Sequence, residues 1–154
     1  LRELGGGSRF ISMAAPFNAL LWRFVAVDGE VYREGYYSLF DSGNRVRFTA
    51  YPANHHLLDE IAGDAAVRRL RWFTKGFYRV KREGTKVNIH DLRMGFEPAY
   101  VFGFTVGEVR DGRVVAVPNR RLEQGLDLLT VDWVWNRIWE QELDPPHLQT
   151  TSGN

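Results

Sequence analysis

Apolar and strand-forming residues fill positions 18–28, NALLWRFVAVD, and again positions 31–40, VYREGYYSLF. Asp28-Gly29 between them supplies a two-residue turn, so the two runs are expected to close as a hairpin. That closure pairs Val27 with Glu30, Arg23 with Glu34 and Trp22 with Gly35. Opposite charges then meet on one face, and an indole covers a glycine on the other. A second turn at Asp41-Ser42-Gly43-Asn44 leads into residues 45–51, RVRFTAY, whose alternation predicts a third strand that Pro52 ends.

The period then changes. Asn54 is placed to cap a helix over residues 55–62, Gly63 stops it, and Asp64 caps a short helical stretch over residues 65–70. Residues 70–74 and 77–82 are expected as strands around Lys75-Gly76, with Trp72, Phe73, Phe77 and Tyr78 in the middle of the sheet's core. Glu83-Gly84 turns the chain into a strand over residues 86–92. Residues 100–110 and 113–117 form a hairpin about Asp111-Gly112. Pro118-Asn119 opens a C-terminal helix. Leu122, Leu126, Leu129 and Trp133 make one apolar stripe on it, and Leu128, Val131, Trp135, Ile138 and Trp139 a second. Gly125 or Thr130 is the expected place for an interruption. Two stripes exceed what one sheet face hides, so two of Trp133, Trp135 and Trp139 are expected in the core and one at a partner surface. The fold class is α+β. The expected architecture is an antiparallel meandering β-sheet with a short helical insertion after the third strand and a C-terminal helix packed on the sheet.

With 154 residues the chain suits one domain. Residues 1–14, which hold Gly5-Gly6-Gly7-Ser8, read as a flexible tether, residues 15–142 as the domain, and residues 143–154, with Pro145-Pro146, as a disordered tail. Leu1 in place of Met gives the chain the look of a segment from a longer protein. The 20 Lys and Arg against 19 Asp and Glu leave no basic excess, so no nucleic-acid partner is expected. The lack of Cys excludes disulfides, thiolate catalysis and Cys-based zinc sites. No apolar run approaches the roughly 20 residues that span a bilayer.

Two polar clusters are candidates for chemistry. On a helix, His55 would lie beside Asp59 and His56 beside Glu60, with imidazole and carboxylate groups suited to a divalent metal. The bland counterpart is a polar helix start. His90, Asp91 and Arg93 gather at a strand end. A His beside an Asp is raw material for general base catalysis, but neighbouring strand residues point to opposite faces. The alternative is that Asp91 caps a turn while Arg93 pairs with it or covers aromatic rings. Ser38, Ser42, Thr74 and Thr85 stand in no nucleophile-elbow context, and no glycine spacing matches a phosphate loop.

PFNALLWR at 16–23, GYYSLF at 35–40, RWFTKGFYRV at 71–80, DLRMG at 91–95 and LLTVDWVWNRIW at 128–139 together resemble the C-terminal soluble region of the bacterial predicted membrane-bound metal-dependent hydrolases. The resemblance spans about residues 15–139. It implies an appendage on an inner-membrane protein, with catalytic His and Asp motifs in a separate N-terminal membrane domain. No family catalytic residue can therefore be carried onto this chain. A divalent metal would belong to the full-length protein, with no cofactor in this segment. The expected partners are its own membrane domain and a small-molecule or lipid-derived ligand. Arg23, Tyr37, Trp72, Asp91 and Arg93 are the binding candidates. The leading reading is a non-catalytic accessory domain; the alternatives are an autonomous metal hydrolase built on the His and Asp residues, and a protein-interaction module.

Overall fold

The computed structural model describes residues 8–15, 19–123, 128–141 and 143–149. Expectations for residues 1–7, for Pro16, Phe17 and Asn18, for Gly125 and Leu126, and for residues 150–154 lie outside the described residues, as do those on the side chains of Leu128, Leu129 and Thr130.

The fold is mixed α+β with antiparallel sheets. One sheet has the order β1-β2-β3-β4, from Arg9–Ala14, Leu21–Asp28, Val31–Ser38 and Phe48–Pro52. A 3-10 helix, His55–Ile61, and α1, Ala65–Phe73, follow it. The second sheet has the order β10-β9-β6-β5, from β5 Tyr78–Glu83, β6 Lys86–Asp91, β9 Gly103–Arg110 and β10 Arg113–Arg121. A small hairpin, β7 Gly95–Phe96 and β8 Ala99–Tyr100, lies between β6 and β9. The chain closes with α2, Leu128–Trp139, and α3, Pro146–Gln149. Among the described residues no helix is long and apolar enough to cross a membrane.

Leu21, Arg23, Val25 and Val27 of β2 share one face with Tyr32, Glu34, Tyr36 and Ser38 of β3, and all are buried. At one end this face packs on Trp133, Val134 and Ile138 of α2. At the other it meets Leu92 and Tyr100. The second sheet is covered instead by Leu58 and Ile61 of the 3-10 helix and by Val67 and Leu70 of α1. Ser38 Oγ donates to the carbonyl of Ile138 at 2.6 Å, and Arg137 holds both oxygens of Asp41 at 2.9 Å, which fixes α2 on the first sheet.

Several elements differ from the sequence reading. Residues 9–14, expected within the tether, form β1 and pair with β2 from Arg9↔Val27 to Ala14↔Trp22. Their period-two alternation puts Ile11 and Met13 opposite Val25 and Arg23, on the buried side. The hairpin loop is Gly29-Glu30, with Asp28 still in the ladder opposite Val31. Gly29, at φ 56, takes the first loop position where positive φ is needed. Arg23 consequently faces Tyr36, and Phe24 rather than Trp22 faces Gly35. The third expected strand starts at Phe48, and Asn54, in the left-handed region, provides no side-chain cap.

Residues 70–73 belong to α1 and not to a strand. Asp64 accepts from the amides of Ala66 and Val67, and the positive φ of Lys75 and Gly76 stops the helix. Helical spacing turns Val67 and Leu70 inward, which leaves Trp72 80% and Phe73 48% exposed, against the expectation of core. Tyr78 is buried as expected. Pro118-Asn119 lies in β10, at the irregularity between Ala116 and Arg120 where the missing N–H costs no ladder bond. In α2 one Trp is buried, Trp133, while Trp135 is 61% and Trp139 55% exposed. The expected tail contains α3, and His147 hydrogen-bonds the Tyr51 hydroxyl at 2.9 Å.

Candidate functional site

Two places concentrate polar groups: a closed cluster between the sheets and an open cleft beside α1. The cluster is built on Arg23 and Glu34, side by side on the buried face of β2 and β3. Glu34 Oε1 accepts short hydrogen bonds from Arg23 Nη2 and the Tyr100 hydroxyl. Its Oε2 accepts from the Tyr36 hydroxyl at 3.0 Å and the Glu97 amide at 3.3 Å. Arg23 Nη1 donates to the Leu92 carbonyl at 2.6 Å. A second pair, Arg79 with Glu97, is joined by the Tyr32 hydroxyl, which donates to Glu97 at 2.5 Å. The Tyr100 ring lies between the two pairs, with the guanidinium carbons of Arg79 and Arg23 at 4.9 and 5.7 Å from its centroid.

Burial alone would drive the Glu34 pKa up. The Arg23 charge overrides it, and with hydrogen bonds from Arg23 and Tyr100 holds the carboxyl below its ordinary value. Burial likewise works against charge on Arg23, and Glu34 reverses that too. Burial, then the Glu34 charge, pushes the Tyr36 and Tyr100 phenols well up. A carboxylate held ionised, with both oxygens occupied, is a poor proton acceptor. The cavity that reaches Glu34, between Tyr36, Tyr51 and Arg137, measures about 30 Å³, room for a water or two. The cluster locks the first sheet to the β7–β8 hairpin and β5.

The cleft has a volume of about 420 Å³ and is lined by Arg9, Val27, Gly29, His55, Arg71, Trp72, Gly76 and Tyr78. Its floor is the Tyr78 ring stacked on His55, with centroids 4.2 Å apart at 28°. His55 Nε2 contacts the Tyr78 carbonyl oxygen at 2.8 Å; a carbonyl only accepts, so Nε2 carries the proton. Arg9 comes from β1 and donates through Nη1 to the Lys75 carbonyl at 2.7 Å. Its guanidinium lies so close over Gly76 that a Cβ there would fall 1.6 Å from Nη1. Arg71 and Trp72 come from the last turn of α1. Burial raises the Tyr78 pKa; Arg71, by its charge and by hydrogen bonding to the phenol, opposes this most, and the Arg9 charge adds to it. Glu30 also acts on the phenol, but its carboxylate is engaged by His56 Nδ1 at 2.6 Å. Among the described residues neither Arg9 nor Arg71 has a carboxylate partner.

Of the residues named from the sequence, Trp72 lines this cleft, and so does His55. Arg23 belongs to the closed cluster. Tyr37 lies on the other face of β3 and donates to the Gly43 carbonyl at 3.1 Å. Asp91 accepts from the Arg93 amide at 2.9 Å and from its guanidinium, which also stands 4.9 Å over the Phe73 ring. That is the turn-capping and ring-covering arrangement weighed against catalysis. His90, adjacent in β6, is buried beside Tyr100. His55, His56 and Asp59 do not converge: the 3-10 path breaks the i, i+4 spacing, His56 pairs with Glu30, and Glu60 accepts from the Val114 amide at 2.5 Å. Among the described residues no three His, Asp or Glu side chains come together as a metal site.

Sequence reasoning missed Arg9 and Arg71, the first because its strand was taken for tether. The alternation in RFISMA was the available signal. It also missed Arg79, Glu97 and Tyr100, which local pattern does not mark. No family model, curated protein or solved structure matches the chain.

Proposed function

We propose that this domain is a non-catalytic accessory unit that binds a ligand in the Arg9–Arg71 cleft. In line with the family its motifs resemble, we place it on an inner-membrane metal-dependent hydrolase whose metal-binding motifs lie in a separate membrane domain, with the domain sensing a ligand for that enzyme. One observation carries the binding reading. Two arginines that have no carboxylate partner among the described residues line one aromatic-floored cleft of ligand size. The groups suited to catalysis are engaged elsewhere: Asp91 by Arg93, His56 by Glu30, Glu34 by Arg23.

The test is a small-molecule screen by thermal shift, repeated with Arg71→Gln, alongside ester and phosphodiester hydrolysis assays. A binder lost in the variant, with no turnover, supports the proposal. Turnover by the purified domain that disappears on changing His90 or Asp91 contradicts it and restores the autonomous hydrolase.

A second reading has its own observation. Phe40 stacks on Trp139 at 4.8 Å, and Trp135 meets Trp139 edge-on at 6.1 Å, with Leu39 also exposed. Such an apolar surface suits a protein-interaction module. Sedimentation velocity across a concentration series tests self-association: association lost in Trp139→Ser supports this reading, and a monomer at every concentration argues against a second copy as the partner.

A further inference from the structure

We infer that the cleft takes a phosphomonoester dianion carried on a planar or apolar group, gripped by Arg9 and Arg71 with the attached group lying against Trp72. The inference rests on the cleft being the ligand site and names its ligand class.

Charge comes first. Arg9 and Arg71 bring two permanent positive charges to one cavity, no acidic side chain lines it among the described residues, and Glu30 nearby is engaged by His56. A ligand with two negative charges neutralises both. Geometry narrows the class. The two arginines arrive from separate elements, β1 and α1, and line the same cavity as the Tyr78 ring. A planar carboxylate is gripped in bidentate fashion by one arginine, whereas a phosphate presents three terminal oxygens that accept from both. Arg9 spends one N–H on the Lys75 carbonyl and keeps the other donors of its fork. That bond, and the bare Cα of Gly76 beneath it, also hold the guanidinium in place before a ligand arrives.

Volume leaves room for more than a phosphate. The cleft offers about 420 Å³, against roughly 30 Å³ for a liquid water, so a lone inorganic ion leaves most of it empty. Trp72 exposes 80% of its surface at the edge, and the Tyr78–His55 stack gives a flat floor. Both suit a planar or apolar group. A free phosphorylated metabolite and a lipid phosphate headgroup share this chemistry.

The experiment is isothermal titration at low salt with phenyl phosphate, inorganic phosphate and benzoate, with co-sedimentation on phosphatidylcholine vesicles with and without phosphatidic acid. Phenyl phosphate should bind more tightly than either other probe. Arg71→Gln and Arg9→Gln should each weaken it by roughly tenfold to a hundredfold. Arg113→Gln, on exposed β10, should leave it unchanged, and Trp72→Ala should weaken phenyl phosphate but not inorganic phosphate. Arg71-dependent capture by phosphatidic acid vesicles supports the inference with a lipid source; phenyl phosphate binding without vesicle capture supports it with a free metabolite. Benzoate binding as tightly as phenyl phosphate, with the same loss in Arg71→Gln, overturns the phosphate assignment but leaves the cleft as a ligand site. No response to any probe, or one unaltered in both arginine variants, overturns the inference. If Arg71→Gln also abolishes no binder in the small-molecule screen, the cleft reading falls with it.

Discussion

Arg23 stands opposite Tyr36 across the β2–β3 ladder, yet its guanidinium is bound to Glu34, two residues away on the same face. A strand alternates sides with period two, so a register shift of two residues preserves the face and turns a direct pair into a diagonal one. Both charges are buried, and removing either leaves the other uncompensated. Arg23→Met or Glu34→Gln should therefore cost about 3–5 kcal/mol and lower the melting midpoint by roughly 6–20 °C. The double replacement Arg23→Met with Glu34→Met should cost less than the sum of the Arg23→Met and Glu34→Met single changes by more than about 1 kcal/mol. Urea denaturation of the four proteins in this cycle, wild type included, checks the coupling.

The same pair sets an acid limit. Glu34 has a folded pKa held below its ordinary value by Arg23 against the opposing effect of burial. Its contribution is complete above the unfolded carboxyl value of about 4.3 and is lost as the pH falls through the folded pKa. Stability measured against pH should decline below about pH 4. In the double replacement the slope should be shallower by up to about 1.4 kcal/mol per pH unit.

Asp91 and Arg93 act as a turn clasp. Asp91→Ala releases the Arg93 amide and guanidinium and should cost roughly 1–3 kcal/mol. Arg93→Ala removes the pair and the contact over Phe73 and should cost about 1–2 kcal/mol. Chemical denaturation reads both. A catalytic pair would instead lose activity with stability unchanged.

Gly76 is held at φ 81 beneath Arg9. Gly76→Ala should destabilise by about 1 kcal/mol or more and displace the Arg9 guanidinium. Binding in the cleft should weaken although both arginines remain, which titration of the folded variant checks.

Local chemistry made parts of the fold legible. Asp64 reads as a cap and is one, and Asp111-Gly112 turns the β9–β10 hairpin with both residues at positive φ. The stretch at 70–73, Leu-Arg-Trp-Phe, fits a strand or a helix equally in isolation; the cap before it and the Lys75-Gly76 stop decide for helix. β1 went unread because two of its six residues are Arg and Ser and a glycine run precedes it. The clustered candidates dispersed because proximity in sequence does not fix side-chain direction: His90 and Asp91 alternate across a strand, and His55 and His56 sit on a 3-10 path. The cleft's two arginines come from β1 and α1, so only tertiary packing brings them together.

A proton–nitrogen correlation titration of the purified domain with phenyl phosphate tests the cleft most directly. Shifts confined to Arg9, the Arg71–Tyr78 stretch and the Trp72 indole, saturating with concentration, are the predicted result. Shifts centred on His90 and Asp91, or none at saturating ligand, would contradict it.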